Sequence, residues 1–75
     1  MPVKIYPNPT TESLYVELSE PLNNGVMTIW DVHGRLVRQE NYTQNLIDVS
    51  ALSSGTYWLQ LTSDDVNQTI QFIKN

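Results

Sequence analysis

The side chains that could carry out catalysis are few in this chain and lie far apart. His33 is the only histidine among the 75 residues, and cysteine is absent. A nucleophilic triad needs a histidine held beside a serine or threonine and an acid. His33 instead precedes Gly34 in a turn-like segment, where we expect it to be solvated. A single histidine also excludes a histidine-rich metal site, so these residues predict no catalytic centre.

The acidic residues are scattered along the chain rather than paired. Asp64 and Asp65 are adjacent, but residues 64–67 lack the ligand spacing of an EF-hand calcium loop. This segment favours a polar hairpin turn. The three glycines are far apart in the sequence, which excludes a glycine-rich phosphate-binding loop. We therefore expect no enzymatic activity, no metal ion and no cofactor.

The composition limits both the size and the partners of the protein. Seventy-five residues are enough for one domain, and a domain of this size has little room for an internal active-site cavity. The net charge is −4, with only four basic residues. Nucleic acids and anionic lipids are bound through clusters of basic residues, so we expect neither partner. No apolar run approaches the roughly 20 residues that span a bilayer, which argues against direct membrane insertion.

Apolar and polar residues alternate with a period of two, which is typical of half-buried β-strands. In residues 14–18 (LYVEL) and 57–61 (YWLQL), every second position is apolar and lies on one face. Residues that form turns interrupt these segments at short, regular intervals, a pattern that favours an all-β sandwich or barrel. We predict seven strands, near residues 3–6, 13–18, 26–31, 35–41, 46–49, 56–62 and 68–73.

The segment 31–34 (DVHG) predicts the tightest hairpin of the chain. Aspartate first and glycine last suit a type I turn, with Gly34 in the left-handed conformation as a bulge. This three-residue loop places Ile29 opposite Val37 in the core. A two-residue turn would place Ile29 opposite Arg38 and mix apolar and charged residues on both faces, so we prefer the longer loop. The expected pairs are Asp31 with Arg35, Trp30 with Leu36, and Ile29 with Val37.

Two further features have more than one interpretation. Pro7 and Pro9 cannot donate ladder hydrogen bonds and should end the first strand, while the side chain of Asn8 can bond neighbouring backbone groups. Trp30 and Trp58 lie opposite the core-facing residues of their strands. Each ring could pack along the outer edge of a sheet, which we favour, or form an exposed platform for a sugar or a protein.

Four segments, in this order and spacing, resemble the type A C-terminal sorting domain of the type IX (Por) secretion system. They are residues 5–11 (IYPNPTT), 28–37 (TIWDVHGRLV), 47–57 (IDVSALSSGTY) and 71–75 (QFIKN). Any one of these motifs is weak, but the four together are specific. The resemblance covers essentially the whole chain.

The resemblance implies a fold and a role. The fold would be an immunoglobulin-like β-sandwich of about seven strands, mainly antiparallel. Residues 1–75 would form a single sorting domain of a larger secreted protein from a Gram-negative bacterium. It would direct an upstream cargo through an outer-membrane translocon with its shuttle proteins, so that the cargo is secreted or held at the cell surface. In many family members a sortase-like cysteine protease removes the domain and joins the cargo to a surface lipopolysaccharide.

The same resemblance assigns candidate recognition residues. Gly55 would free the backbone and Tyr57 would enter the core, while the closing strand would be recognised by the export machinery. A free edge strand can be captured by strand addition to a partner sheet, and Lys74 could add a charge contact. The motif positions are Pro7, Asn8, Pro9, Asp31, Gly34, Gly55, Tyr57, Phe72, Ile73 and Lys74.

Two other functions compete with sorting. The exposed aromatic residues would also suit a β-sandwich accessory module that binds carbohydrate or protein, and Trp30, Trp58 and Tyr15 motivate that alternative. The domain could also be a spacer beside an enzyme. Several motif residues, such as Pro7, Gly34, Gly55 and Tyr57, could serve only to build the fold.

Overall fold

A computed structural model describes residues 3–19, 22, 24–64 and 66–75. It contains the seven predicted strands, and no boundary differs from the predicted one by more than a residue. Asp65, in the predicted turn 64–67, lies outside the described residues. None of the described residues forms a helix that is long and apolar enough to cross a membrane. The strands are β1 (Val3–Tyr6), β2 (Ser13–Leu18), β3 (Val26–Asp31), β4 (Leu36–Asn41), β5 (Leu46–Asp48), β6 (Gly55–Thr62) and β7 (Asn67–Lys74).

The strands form two antiparallel sheets that enclose one core. The three-stranded sheet has the order β1-β2-β5, and the four-stranded sheet has the order β4-β3-β6-β7. The predicted all-β sandwich is therefore confirmed, while its assignment as immunoglobulin-like stays a prediction. The core side chains come from both sheets: Leu14, Val16, Met27, Ile29, Ile47, Val49, Tyr57, Leu59, Leu61 and Phe72.

The period-two pattern explains why these side chains meet. Leu14 and Val16 of β2 point inward while Tyr15 and Glu17 point to solvent. The same alternation buries Leu59 completely. Burying one such side chain stabilises the fold by about 1.5–3 kcal/mol, so a strand that slipped by one residue would lose most of its stabilising contacts.

The loop of the β3–β4 hairpin has the predicted geometry. The Asp31 N–H donates to the Arg35 carbonyl at 2.9 Å, and the Gly34 N–H donates to the Asp31 carbonyl at 3.0 Å. Gly34 has a φ of 80°, which is the left-handed region that glycine tolerates best. Trp30 lies opposite Leu36, as predicted.

The prediction that Ile29 lies opposite Val37 is wrong. The register shifts between Ile29 and Trp30, so Arg38 is the partner of Ile29. Val37 is 39% exposed and is not part of the core. The mixture of apolar and charged residues is tolerated because β4 is an edge strand whose side chains are mostly exposed on both faces.

Candidate functional site

The segment 7–10 lies along the outer edge of the terminal strand β7, and we call it the strap. The Tyr6–Pro7 and Asn8–Pro9 peptide bonds are both cis. The Asn8 Nδ2 donates to the Gln71 carbonyl at 3.1 Å, and Asn8 Oδ1 accepts from the Ile73 N–H at 2.9 Å. Asn8 was expected to bond its neighbours, but its partners are 63 and 65 residues away along the chain.

Thr10 continues the same edge with its backbone. Its N–H donates to the Ile73 carbonyl at 2.9 Å, and its carbonyl accepts from the Asn75 N–H at 2.8 Å. These bonds form a parallel bridge between Thr10 and Lys74. Thr10 is only 1% exposed, and its hydroxyl donates to the Ser13 carbonyl. Thr10 lies within the 5–11 motif but was not among the residues predicted to act in recognition.

The terminal half of β7 is therefore not a free edge, which corrects the expected mode of capture. The strap occupies the outward backbone groups from the Gln71 carbonyl to the Asn75 N–H. Backbone groups alternate in direction along a strand, so the Gln71 N–H and the backbone groups of Thr69 and Asn67 face outward beyond the strap. Strand addition over residues 71–75 would first have to displace the strap.

Lys74 is a buried side chain and not the surface charge that was expected. It is 7% exposed, and its Nζ donates to the main-chain oxygens of Leu52 at 3.1 Å and Asn75 at 3.4 Å. A buried ammonium must keep its hydrogen bonds to offset lost hydration. The hydrogen bond from Lys74 to Leu52 therefore holds the end of β7 against the loop before β6.

Tyr57 enters the core as the resemblance implied. Its ring stacks on Phe72 with centroids 5.5 Å apart, and its hydroxyl donates to the Ser53 carbonyl at 2.8 Å. The Tyr57 hydroxyl therefore holds the start of β6 against the loop that precedes it. Gly55 begins the same strand with a φ of 153°, a value that other residues rarely adopt.

Asp31 organises the hairpin loop. Its Oδ1 accepts from the N–H groups of His33 at 2.9 Å and Arg35 at 3.0 Å, and its Oδ2 accepts from the Arg35 Nε at 2.9 Å. The Arg35 N–H does most to lower the pKa of the Asp31 carboxyl, and the His33 N–H and the Arg35 guanidinium lower this pKa further. His33 is exposed, as predicted.

The four motifs converge at one end of the four-stranded sheet. Asp31, Tyr57 and Phe72 are neighbours in one row across β3, β6 and β7. Gly55 lies opposite Lys74, and the strap contacts the outer edge of β7 beside them. The sequence could not reveal this convergence, because it depends on the order of strands in the sheet.

Three of the ten motif side chains are hidden from a partner and support the fold from within. Tyr57, Phe72 and Lys74 are buried, whereas Ile73 is 44% exposed on the outer face of the sheet. Trp58 is a diagonal neighbour of Ile73 on that face and is 38% exposed. Both tryptophans lie on the central strands β3 and β6, so the preference for sheet-edge packing is wrong.

Comparison with known proteins identifies the family of this β-sandwich domain. The family model described as a secretion system C-terminal sorting domain matches residues 4–75. The chain therefore belongs to the C-terminal sorting domains of the type IX secretion system. Membership implies interaction with that system and export through the outer membrane to the medium or the cell surface. No curated protein matches the chain.

Proposed function

We propose that this domain is a sorting signal that acts without catalysis and directs an upstream cargo protein through the outer-membrane translocon and its shuttle proteins. The observation that carries this proposal is the family match over residues 4–75. Among the described residues, no group of three or more His, Cys, Asp or Glu side chains could hold a metal ion.

The proposal includes removal of the domain by a sortase-like cysteine protease, with attachment of the cargo to the cell surface. Separation of the domain from its cargo is physically reasonable. The core side chains, the strap bonds and the Lys74 contacts all lie within residues 3–75. Cleavage before β1 would break none of these interactions.

The machinery is proposed to read the folded surface rather than a linear peptide. Tyr57, Phe72 and Lys74 are buried, so a partner can sense them only through the shape that they maintain. The strap also covers the outer edge of residues 71–75. An unfolded terminal peptide would present neither the rows of the sheet nor the strap.

The test is a fusion of residues 1–75 to the C-terminus of a reporter that carries its own signal for the periplasm. In a host with a type IX secretion system, we expect the reporter in the medium or on the cell surface. In the same host without the translocon, it should remain in the periplasm. A reporter that stays in the periplasm of the competent host would refute the sorting function.

The cleavage step is tested by looking for the free domain, separated from the reporter. We expect the free domain in the competent host and its loss when the sortase is deleted.

A further inference from the structure

The outer face of the four-stranded sheet has no ionisable side chain at any of its outward-facing strand positions. The pairing of the strands identifies these positions, because partners in a row share a face. They are Leu36, Gln39 and Asn41 of β4, Val26, Thr28 and Trp30 of β3, Thr56, Trp58, Gln60 and Thr62 of β6, and Asn67, Thr69, Gln71 and Ile73 of β7.

The other sheet presents a different surface. Its outward positions include Lys4 opposite Glu17, and Asp48 at the end of β5. Charged residues make up 16% of the chain, and the net charge is −4. A soluble domain normally places charges over its whole surface. The uncharged face is therefore a specific property of one sheet.

The centre of the uncharged face is aromatic and is held in place by its neighbours. Trp30 and Trp58 lie side by side on the two central strands. The Trp30 Nε1 donates to Gln60 Oε1 at 3.2 Å, and Gln60 Nε2 donates to Asn67 Oδ1 at 3.2 Å. These bonds restrict the side chains before any partner arrives, which lowers the entropy lost on binding.

We propose that this uncharged face is the surface that docks onto a protein of the export machinery, with Trp58 and Ile73 as the main contacts. The inference rests on the proposed sorting function. Interface cores are depleted of charge and enriched in aromatic residues, and tryptophan is prominent among the residues that dominate binding energy. The matching surface should be apolar and uncharged, because a charge buried against this face would find no opposite charge.

The dimensions of the face favour a transient complex. Four strands about 4.8 Å apart, with strands of up to about eight residues rising about 3.3 Å each, give a face of roughly 500 Å². The whole molecule measures 31 × 23 × 18 Å, so this sheet forms one of its broad sides. A stable interface buries about 800 Å² per partner. A smaller contact suits a cargo signal that must be released after transfer.

The test compares two matched double variants of the reporter fusion. Trp58→Thr with Ile73→Thr removes one exposed aromatic and one exposed aliphatic residue from the uncharged face. Tyr15→Thr with Leu46→Thr removes one aromatic and one aliphatic residue from the outer face of the three-stranded sheet, where Tyr15 is 42% and Leu46 is 52% exposed. Threonine has a high preference for strands, so both variants should fold, and thermal unfolding of each purified domain checks this.

We expect the Trp58/Ile73 variant to reduce export about tenfold or more, while the Tyr15/Leu46 variant exports like wild type. Equal export of wild type and the Trp58/Ile73 variant, both folded, would overturn the docking face and leave the sorting function intact. A wild-type fusion that stays in the periplasm would overturn both. A Trp58/Ile73 variant that exports normally but loses self-association, or a glycan-induced change in tryptophan fluorescence, would reassign the face to a second copy or to a sugar.

Discussion

The Asn8 side chain makes the hydrogen bonds to the edge of β7 that the backbone of a neighbouring strand would otherwise make. A carboxamide has one carbonyl and one amino group, the same pair of hydrogen-bonding groups that a peptide unit offers. Asn8 uses both groups on β7, between the flanking prolines that cannot donate to a sheet. Edge strands risk pairing with other chains, so a side chain in this position protects the edge.

Replacement of Asn8 by alanine should loosen the end of β7. Two hydrogen bonds are lost, but the freed groups become hydrated, so we expect a loss of about 1–2 kcal/mol in the free energy of unfolding. Asn8→Asp keeps the acceptor for the Ile73 N–H and loses only the donor to Gln71. Urea denaturation and amide exchange at Ile73 would measure both effects. Asn41→Ala, on the opposite edge of the sheet, is the control, and equal protection of Ile73 in all variants would refute this role.

The sequence predicts those features of a strand that depend on residues close together in the chain, and not those that depend on the strand paired with it. The alternation in residues 57–61 is local, and it correctly identified β6 and its buried face. The bulge that exposes Val37 is a property of two paired strands, so the hairpin motif predicted the loop and the Trp30–Leu36 pair but not the shift that places Ile29 opposite Arg38. The prediction that Lys74 is a surface charge was wrong because the sequence does not show which group its ammonium contacts. In the fold, the Leu52 carbonyl accepts a hydrogen bond from the Lys74 Nζ.

The hairpin loop should make stability depend on pH through Asp31. Because the folded pKa of Asp31 lies below its ordinary value of about 3.8, the carboxylate stabilises the fold above that pH. This stabilisation is lost as the pH falls through the folded pKa. Asp31→Asn should therefore be less stable than wild type at pH 7, and the difference should shrink below about pH 4.

Urea denaturation at pH 7, 4 and 3 would measure this effect, with Asp64→Asn on an exposed turn as the control. If the free energies of unfolding of wild type and Asp31→Asn differ by the same amount at all three pH values, the assigned role of the carboxylate is contradicted.

For the whole molecule, the two sheets present different outer faces. The outer face of the three-stranded sheet carries charged residues, among them Lys4 opposite Glu17. The four-stranded sheet brings all the motifs together and presents an uncharged outer face. The family resemblance could be read from the sequence, but this division of faces follows only from the strand order.

The parallel contact between the strap and β7 also determines how the domain should respond to force. When residue 6 and residue 75 are pulled apart, the strap and β7 slide in opposite directions. The bonds of Asn8 and Thr10 are then loaded together in shear. When residues 26 and 64 are pulled, the paired ends of β3 and β6 separate one hydrogen bond at a time. Because the chain has no cysteine, introduced cysteines give unique attachment points for both geometries.

Single-molecule pulling should show a higher unfolding force for the first geometry, using Tyr6→Cys with Asn75→Cys, than for the second, using Val26→Cys with Asp64→Cys. Asn8→Ala should lower the force only in the first geometry, because unfolding under load is governed by the bonds that resist it. Equal forces in the two geometries would contradict the shear arrangement. Tension applied between the start of the strap and the end of β7 would thus be resisted by several hydrogen bonds at once.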